Sequence, residues 1–319
     1  MGHERPDLAV LPELDELRIA VLLPCYNEAV TVQKCVEDFR EALPNAVVYV
    51  FDNNSSDGTA ERAAEAGAVV VRSPRQGKGH VVRHMFRVVD ADVYVMADGD
   101  DTYPAADAPR LVRELATSHA DMVVGSRLDD HEGDSFRSLH VLGNGMFVAL
   151  VNVLFQVRLE DILSGYRVFS RRFVRTVPLS AGGFGIETDM TLNALSKGLH
   201  IVELPIHYGS RPEGSESKLS TWRDGLVILT AIVRLFKDYK PLAFFGGLAF
   251  LLGTLCLAAG ALPLREYWET SSVHSTPLAV LAASLGLLSA LMFSVGLILD
   301  TVARYHREVH HLLSSRSEP

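Results

Sequence analysis

Asp98-Gly99-Asp100 carries the densest chemistry in this 319-residue chain. Two carboxylates at i and i+2, on a turn opened by glycine, can face one hard cation. Mg2+ or Mn2+ would take its remaining ligands from water and a diphosphate, and would neutralise charge on a departing nucleotide. Acidic turns also occur without metal, but this one follows Asp92 to Ala97, which reads as a buried strand. Asp101 reads as a solvated neighbour. A second polar motif, Asp52-Asn53-Asn54-Ser55, also ends a strand-like run. Asp52 and Asn54 offer acceptors and donors to a base or ribose, while Ser56 and Asp57 read as a helix cap with an Asx turn. In Arg75-Gln76-Gly77-Lys78-Gly79, two glycines and a lysine precede a helix, which suits a phosphate. The plainer alternative is a mobile basic loop.

The elements that must hold these motifs alternate from Ile19 onward. Strands are predicted at Ile19 to Leu23, Ala46 to Phe51, Ala68 to Val71, Asp92 to Ala97 and Met122 to Val124. Helices are predicted at Glu28 to Leu43, Ser56 to Ala66, Gly79 to Val89 and Pro104 to Ser118. This alternation predicts an α/β fold with a doubly wound, mostly parallel sheet. Ligands of such sheets bind past the carboxyl ends of the strands. Pro24-Cys25-Tyr26-Asn27-Glu28, Asp52-Asn53-Asn54-Ser55 and Asp98-Gly99-Asp100 all fall there. Neither a GxGxxG fingerprint nor a Walker A loop occurs. Beyond Gly125 the alternation weakens. Leu139 to Val157 is apolar with His140, Asn144, Asn152 and Gln156 on one stripe, which fits a core helix with a polar face or a helix at a membrane surface.

A formal charge of −9 argues against a nucleic-acid binder. The three cysteines, Cys25, Cys35 and Cys256, have no metal-ligand or paired spacing, consistent with a reduced compartment. Met1 to Leu17 lacks the apolar core of a secretory signal. Near the C-terminus, Leu242 to Leu264 and Pro277 to Val302 are each about the ~20 residues that cross a bilayer. Two buried helices of a soluble core are the alternative. Arg234, Lys237 and Lys240 flank the first run and Arg304 and Arg307 follow the second, while Arg265 is the sole basic residue between them. By the positive-inside rule both outer flanks are cytoplasmic. Trp222, Leu226, Leu229, Val233 and Phe236 have helical spacing, opposite Arg223, Arg234 and Lys237, so Thr221 to Lys240 reads as an amphipathic interfacial helix. The expected order is a tail at 1–18, a catalytic domain at 19–218, a juxtamembrane helix at 219–240, two transmembrane helices at 241–304 and a tail at 305–319.

Pro-x-Tyr-Asn-Glu, Asp-Asn-x-Ser-x-Asp-Gly-Thr, Gly-Lys-Gly and Asp-x-Asp, in that order, resemble family-2 glycosyltransferases of the GT-A fold. Ser164-Gly165-Tyr166-Arg167 and the stretch from Arg211-Pro212 to Ser217-Lys218-Leu219 resemble, more narrowly, polyprenyl-phosphate glycosyltransferases of the dolichol-phosphate-mannose synthase type. The resemblance implies donor contacts from Pro24, Tyr26, Asn27, Glu28, Asp52, Asn54, Lys78, Asp98 and Gly99, and a metal at Asp98 and Asp100. It implies that Arg127, Arg137, Ser164, Arg211, Ser217 and Lys218 handle the acceptor phosphate, with Asp98, Asp100, Arg127 and Glu187 as catalytic candidates. Asp161 is open, and Glu187 faces the acceptor channel or starts a helix. Two positions depart from the family pattern: Asn53, where Asp is frequent, and Thr102, where a metal-site Gln is frequent.

The implied reaction transfers one sugar, with inversion, from a nucleotide-sugar of the UDP-glucose or GDP-mannose type to a polyprenyl phosphate at the cytoplasmic face of a membrane, the cell membrane in a bacterium. A processive polysaccharide synthase is the nearest alternative, but its Gln-x-x-Arg-Trp motif is absent. A silent, membrane-tethered nucleotide-sugar binder is the alternative from another class. The resemblance also implies a homo-oligomer joined through membrane helices, for which Gly246-Gly247, Gly253 and Gly260 offer small surfaces.

Overall fold

A computed structural model describes residues 17–127, 137–179, 185–209, 230, 233 and 236–315. The chain divides into two compact units, Met1–Asp224 and Gly225–Pro319.

In the first unit β1 (Ile19–Cys25) lies inside the sheet, between β2 (Val47–Asp52) and β4 (Val93–Met96), and is parallel to both. Buried on both faces, its IAVLLPC sequence is almost continuously apolar, as an interior parallel strand requires. The sheet has seven strands in the order β3-β2-β1-β4-β6-β5-β7, completed by β3 (Val69–Arg72), β5 (Met122–Arg127), β6 (Arg167–Ser170) and β7 (Ile201–Ile206). Only β6 runs antiparallel to its neighbours, β4 and β5. All five predicted strands are present. Neither β6 nor β7 was predicted, and β6 has only four residues, the first of them an arginine.

Alternate residues of β1 feed separate cores. Val21, Leu23 and Cys25 pack with α1 (Val32–Ala42), α2 (Thr59–Glu65) and α4 (Ala108–Thr117) through Val36, Phe39, Ala63, Leu111 and Leu115. Ala20 and Leu22 pack with α3 (Lys78–Val88), α6 (Arg171–Thr176) and α7 (Ile186–Ser196) through Val82, Met85, Phe173 and Met190. Helices therefore cover both faces, and the order reverses beside β1. That places a crevice past the carboxyl ends of β1 and β4.

Helix starts shift from their predicted positions. The first helix begins at Val32 and not Glu28: Asn27 holds a left-handed backbone and the residues after it form a turn in which Glu28 O accepts from the amides of Thr31 and Val32. The second begins at Thr59, with Gly58 at its N-cap at φ 89° and no side-chain cap, so Ser56 does not cap it. The Asx turn is present: Asp57 Oδ1 accepts from Thr59 N at 3.1 Å, and Oδ2 accepts from Ala29 N at 3.0 Å. The apolar run after Gly125 forms α5 (Arg137–Phe155), which buries Phe147, Val148, Val151 and Leu154 and exposes Val153.

The second unit contains α8 (Pro241–Thr270) and α9 (Thr276–Ser315). Both are long and apolar enough to span a membrane. Their large residues, Phe250, Leu255, Leu287 and Leu291 among them, point outward, which suits a lipid environment and not water. Small residues bring the helices together: Ser289 Oγ donates to Ala249 O at 2.7 Å, and a Cβ at Gly253 would lie 3.3 Å from Ser289 Oγ. A Cβ at Gly260 would meet Ala282, so Gly253 and Gly260 serve contacts within one chain. Among the described residues, a Cβ at Gly246 or Gly247 would meet nothing within 4 Å. Glu266 closes the connection, its Oε2 accepting from His274 N, Ser275 N and Ser275 Oγ.

Candidate active site

β1 and β2 end side by side, with Cys25 in register with Asp52, so the first two motifs share one rim of the sheet. They are tied together: Asn27 N donates to Ser55 Oγ and Asn27 Oδ1 accepts from Ser56 N, both at 2.9 Å. Glu28 N donates to Thr59 Oγ1 at 2.9 Å, and Asp52 Oδ1 accepts from Ser55 N at 3.1 Å. Asn27, Asn54 and Asp101 hold left-handed backbones at φ 55°, 63° and 59°. Asn and Asp tolerate that region best.

The third motif is fastened to the first. Gly99 O accepts from Thr31 Oγ1 at 2.7 Å, and a Cβ at Gly99 would collide with Cys25 Sγ. Asp100 is 3% exposed, and its Oδ1 accepts from Thr102 Oγ1 at 2.6 Å. Asp101 is not simply solvated: its carboxylate pairs with Lys34 at 2.8 Å.

Lys78 is the centre of the site. Its Nζ lies 2.5 Å from Asp98 Oδ1 and 2.6 Å from Glu187 Oε1, so the turn after β4, the start of α3 and the start of α7 each contribute one charge. The Lys78 side chain is 35% exposed, which leaves the cluster open on one side. Burial alone would lower the Lys78 ammonium, but the two carboxylates outweigh it and hold the proton. Glu187, despite its own burial, is kept below its ordinary value by Lys78. Asp98 moves the other way: burial pushes it up, with Glu187 and Asp100 adding to the effect, because one ammonium cannot balance three nearby carboxylates. Gly165 backs the cluster. A Cβ there would stand 2.7 Å from Asp98 Oδ2 and 3.4 Å from Lys78 Nζ.

The loop that delivers Lys78 is held by asparagines. Asn53 Nδ2 donates to Ser73 O at 2.9 Å and Arg75 O at 2.8 Å, and Asn53 Oδ1 accepts from Gly77 N at 2.8 Å. Asn54 Nδ2 adds Pro74 O and Gln76 Oε1.

The profile of glycosyl transferase family 2 matches residues 20–177. Glycosyltransferase AglJ of Haloferax volcanii is 34% identical over 292 residues, covering 91% of this chain and 95% of that protein. This chain belongs to glycosyltransferase family 2. Undecaprenyl-phosphate mannosyltransferase of Micrococcus luteus is 31% identical over 64% of this chain and 88% of its own length. Among solved structures, Mycobacterium tuberculosis glucosyl-3-phosphoglycerate synthase in complex with Mn2+, UDP and glucosyl-3-phosphoglycerate superposes with a TM-score of 0.57. That match has 20% identity and covers 74% of this chain and 86% of the other, and at such identity it speaks to the fold, which is GT-A-like.

Within this family-2 fold, Tyr26, Asn27, Glu28, Asp52, Asn54, Lys78, Asp98 and Gly99 gather on the predicted rim, and Pro24 lies in β1 leading to it. The family departure at Asn53 has a structural reason, since an aspartate could not donate to Ser73 O and Arg75 O. At the other departure, the Thr102 hydroxyl is spent on Asp100. Arg127 is engaged twice by Asp161, Nε to Oδ2 at 2.7 Å and Nη2 to Oδ1 at 2.9 Å, and lies over the Tyr208 ring at 5.4 Å. Ser164 is fully buried and its hydroxyl donates to Gly125 O at 2.6 Å, a position that shapes the turn before Gly165. Arg211, Ser217, Lys218 and the Arg137 side chain lie outside the described residues, as does most of the predicted amphipathic helix.

Two contributors escaped sequence reasoning, and a third was left open by it. Arg167 is fully buried and gathers Ile162 O, Ser164 O and Thr191 Oγ1 at 2.6, 2.8 and 2.8 Å, which fixes the turn carrying Gly165. Tyr103 Oη accepts from Gly165 N at 2.9 Å, and its ring packs on Tyr208. Asp161, left open from sequence, is locked by Arg127 and by Glu203, which accepts from Asp161 N at 3.0 Å. Arg167 sits in a motif already singled out and Tyr103 follows Asp100 closely, but nothing in sequence pairs either with Gly165.

Among the described residues no group of three or more His, Cys, Asp or Glu side chains could hold a metal ion. The chain's donor set fits a cation that arrives with its own ligands: two hard carboxylates, Asp98 and Asp100, in a cluster whose nearby charges leave it negative.

Proposed function

We propose that this family-2 enzyme transfers a single sugar, with inversion, from a nucleotide-sugar of the UDP-glucose or GDP-mannose type to a polyprenyl phosphate, releasing the nucleoside diphosphate. The observation that carries the reading is one chain holding both the Lys78–Asp98–Glu187 cluster and two outward-facing apolar helices. The name of the Micrococcus relative adds support for a lipid phosphate acceptor.

On this reading the rim formed by Asp52 and Asn54 takes the nucleoside, and Lys78 stands beside the diphosphate. Glycosyl transfer develops positive charge on the sugar and negative charge on the leaving diphosphate. Lys78 offsets the latter charge as it grows. Asp98 and Asp100 would hold Mg2+ or Mn2+, which supplies further neutralisation of the diphosphate. Glu187 keeps Lys78 protonated and directed at that position. The acceptor phosphate is already anionic at neutral pH, so its oxygen attacks without a strong base. Bringing two anions together is the main demand, and Arg127, Arg211 and Lys218 meet it on the acceptor side. Asp161 holds Arg127 through Nε and Nη2 and so fixes the guanidinium for this role.

Both helices span the membrane with the catalytic unit and both termini cytoplasmic, given the basic outer flanks. Release of nucleoside diphosphate that requires polyprenyl phosphate tests the reading. Release that is equally fast with water alone, or no release with any nucleotide-sugar, would contradict it.

A further inference from the structure

Asn53 is 4% exposed and sits at the end of β2, yet its bonds reach the loop between β3 and α3. Its backbone N donates to Cys25 O at 2.9 Å, which fixes the residue to the end of β1. Its side chain then spends both donors on Ser73 O and Arg75 O and one acceptor on Gly77 N. Ser73 N donates to Asp52 O at 2.8 Å, so both ends of the five-residue turn are tied to β2. Gly77 stands at φ 117°, a conformation open to glycine and to few others, and the next residue is Lys78. From there Lys78 reaches Asp98 and Glu187.

We infer that Asn53 is a positioning residue: its amide sets the path of the Ser73–Gly77 turn and so fixes where Lys78 meets the diphosphate. The inference rests on the donor-side reading of Lys78 given above. An amide is the one side-chain group of this size that donates twice and accepts at the same time. A carboxylate there would keep the bond from Gly77 N but set its charge against two carbonyl oxygens. The Asp common at this place in the family is therefore not interchangeable with Asn53 in this chain.

The test uses the full chain in detergent, as wild type, Asn53→Asp and Asn53→Ser. The serine variant removes the double donation without adding charge, and so serves if the aspartate variant does not fold. Hydrogen exchange is followed at the amides of residues 77–82, with β1 as the internal reference. UDP and GDP affinities are measured, along with kcat and the KM for polyprenyl phosphate. The expected result is faster exchange confined to residues 77–82, a fall in nucleotide affinity or kcat of roughly 10- to 100-fold, and an unchanged acceptor KM. Unchanged exchange in residues 77–82 would overturn the inference. So would local loosening with nucleotide affinity and kcat intact, or a loss that appears only as general melting. The exchange and nucleotide arms need no acceptor, so they stand even if the polyprenyl-phosphate assignment fails.

Discussion

Lys78 faces two carboxylates, and the fit around them is tight on the Gly165 side. Gly165→Ala would drive a methyl group toward Asp98 Oδ2 and Lys78 Nζ. Gly165 is itself buried, so a melting curve must separate displacement of the cluster from any loss of stability in the variant. The variant should lose transfer by about 10- to 100-fold, since small displacements of reacting groups have effects of that size. Steady-state kinetics beside a melting curve checks this; full activity would show that the cluster tolerates displacement. Asp100→Ala, or excess chelator, should abolish transfer while the fold persists, and activity that survives both would remove the metal from the account. At this scale the sequence was informative where chemistry announces itself. Lys78, Asp98 and Asp100 were visible as charges on turns. Asn53 was visible only as a departure, because its role depends on carbonyls 20 and 22 positions later in the chain. Arg167 stood in a motif of the resemblance with no role assigned to it, and its guanidinium is buried among backbone carbonyls.

Between elements, the Arg127–Asp161 pair joins the end of β5 to the segment preceding β6. Burial opposes ionisation of Asp161, but Arg127 wins and holds its carboxyl below the ordinary range. A group with a depressed folded-state pKa stabilises the fold above its unfolded value, about 3.9. That contribution fades as pH falls through the lower folded value. Asp161→Asn should therefore destabilise the neutral-pH protein by about 2 kcal/mol, the usual scale for a hydrogen bond to a charged group. The variant and wild type should converge in strong acid. Denaturant melts across that pH range check the effect, and a constant gap at all pH values would contradict it. Gly209 lies beside the acidic turn, its N donating to Thr102 O at 2.9 Å. Arg211→Ala and Lys218→Ala should then reduce transfer sharply and leave nucleotide affinity nearly unchanged. Loss of donor affinity with acceptor dependence intact would assign these two residues to the other substrate. The first five strands were legible because apolar runs alternated with helical spacing. β6 was hidden, since four residues opened by a buried arginine give no hydrophobic period.

For the molecule as a whole, the two apolar helices were the plainest feature of the sequence, and their outward leucines and phenylalanines agree with that reading. What sequence could not assign was which glycines serve the hairpin itself. Gly253 and Gly260 do, whereas Gly246 and Gly247 meet no described residue. Tags placed at Thr270 should be reached only from the side opposite the catalytic unit, and cytoplasmic labelling there would reverse the topology. The central claim is that a family-2 catalytic unit delivers one sugar to a lipid phosphate. The most direct measurement incubates the purified full-length protein with nucleotide-sugars and polyprenyl phosphate, then determines the mass of the lipid product. The account predicts the polyprenyl phosphate mass plus a single sugar, together with one nucleoside diphosphate per lipid. A ladder of sugars on the lipid, or nucleotide-sugar consumed with the lipid mass unchanged, would contradict it.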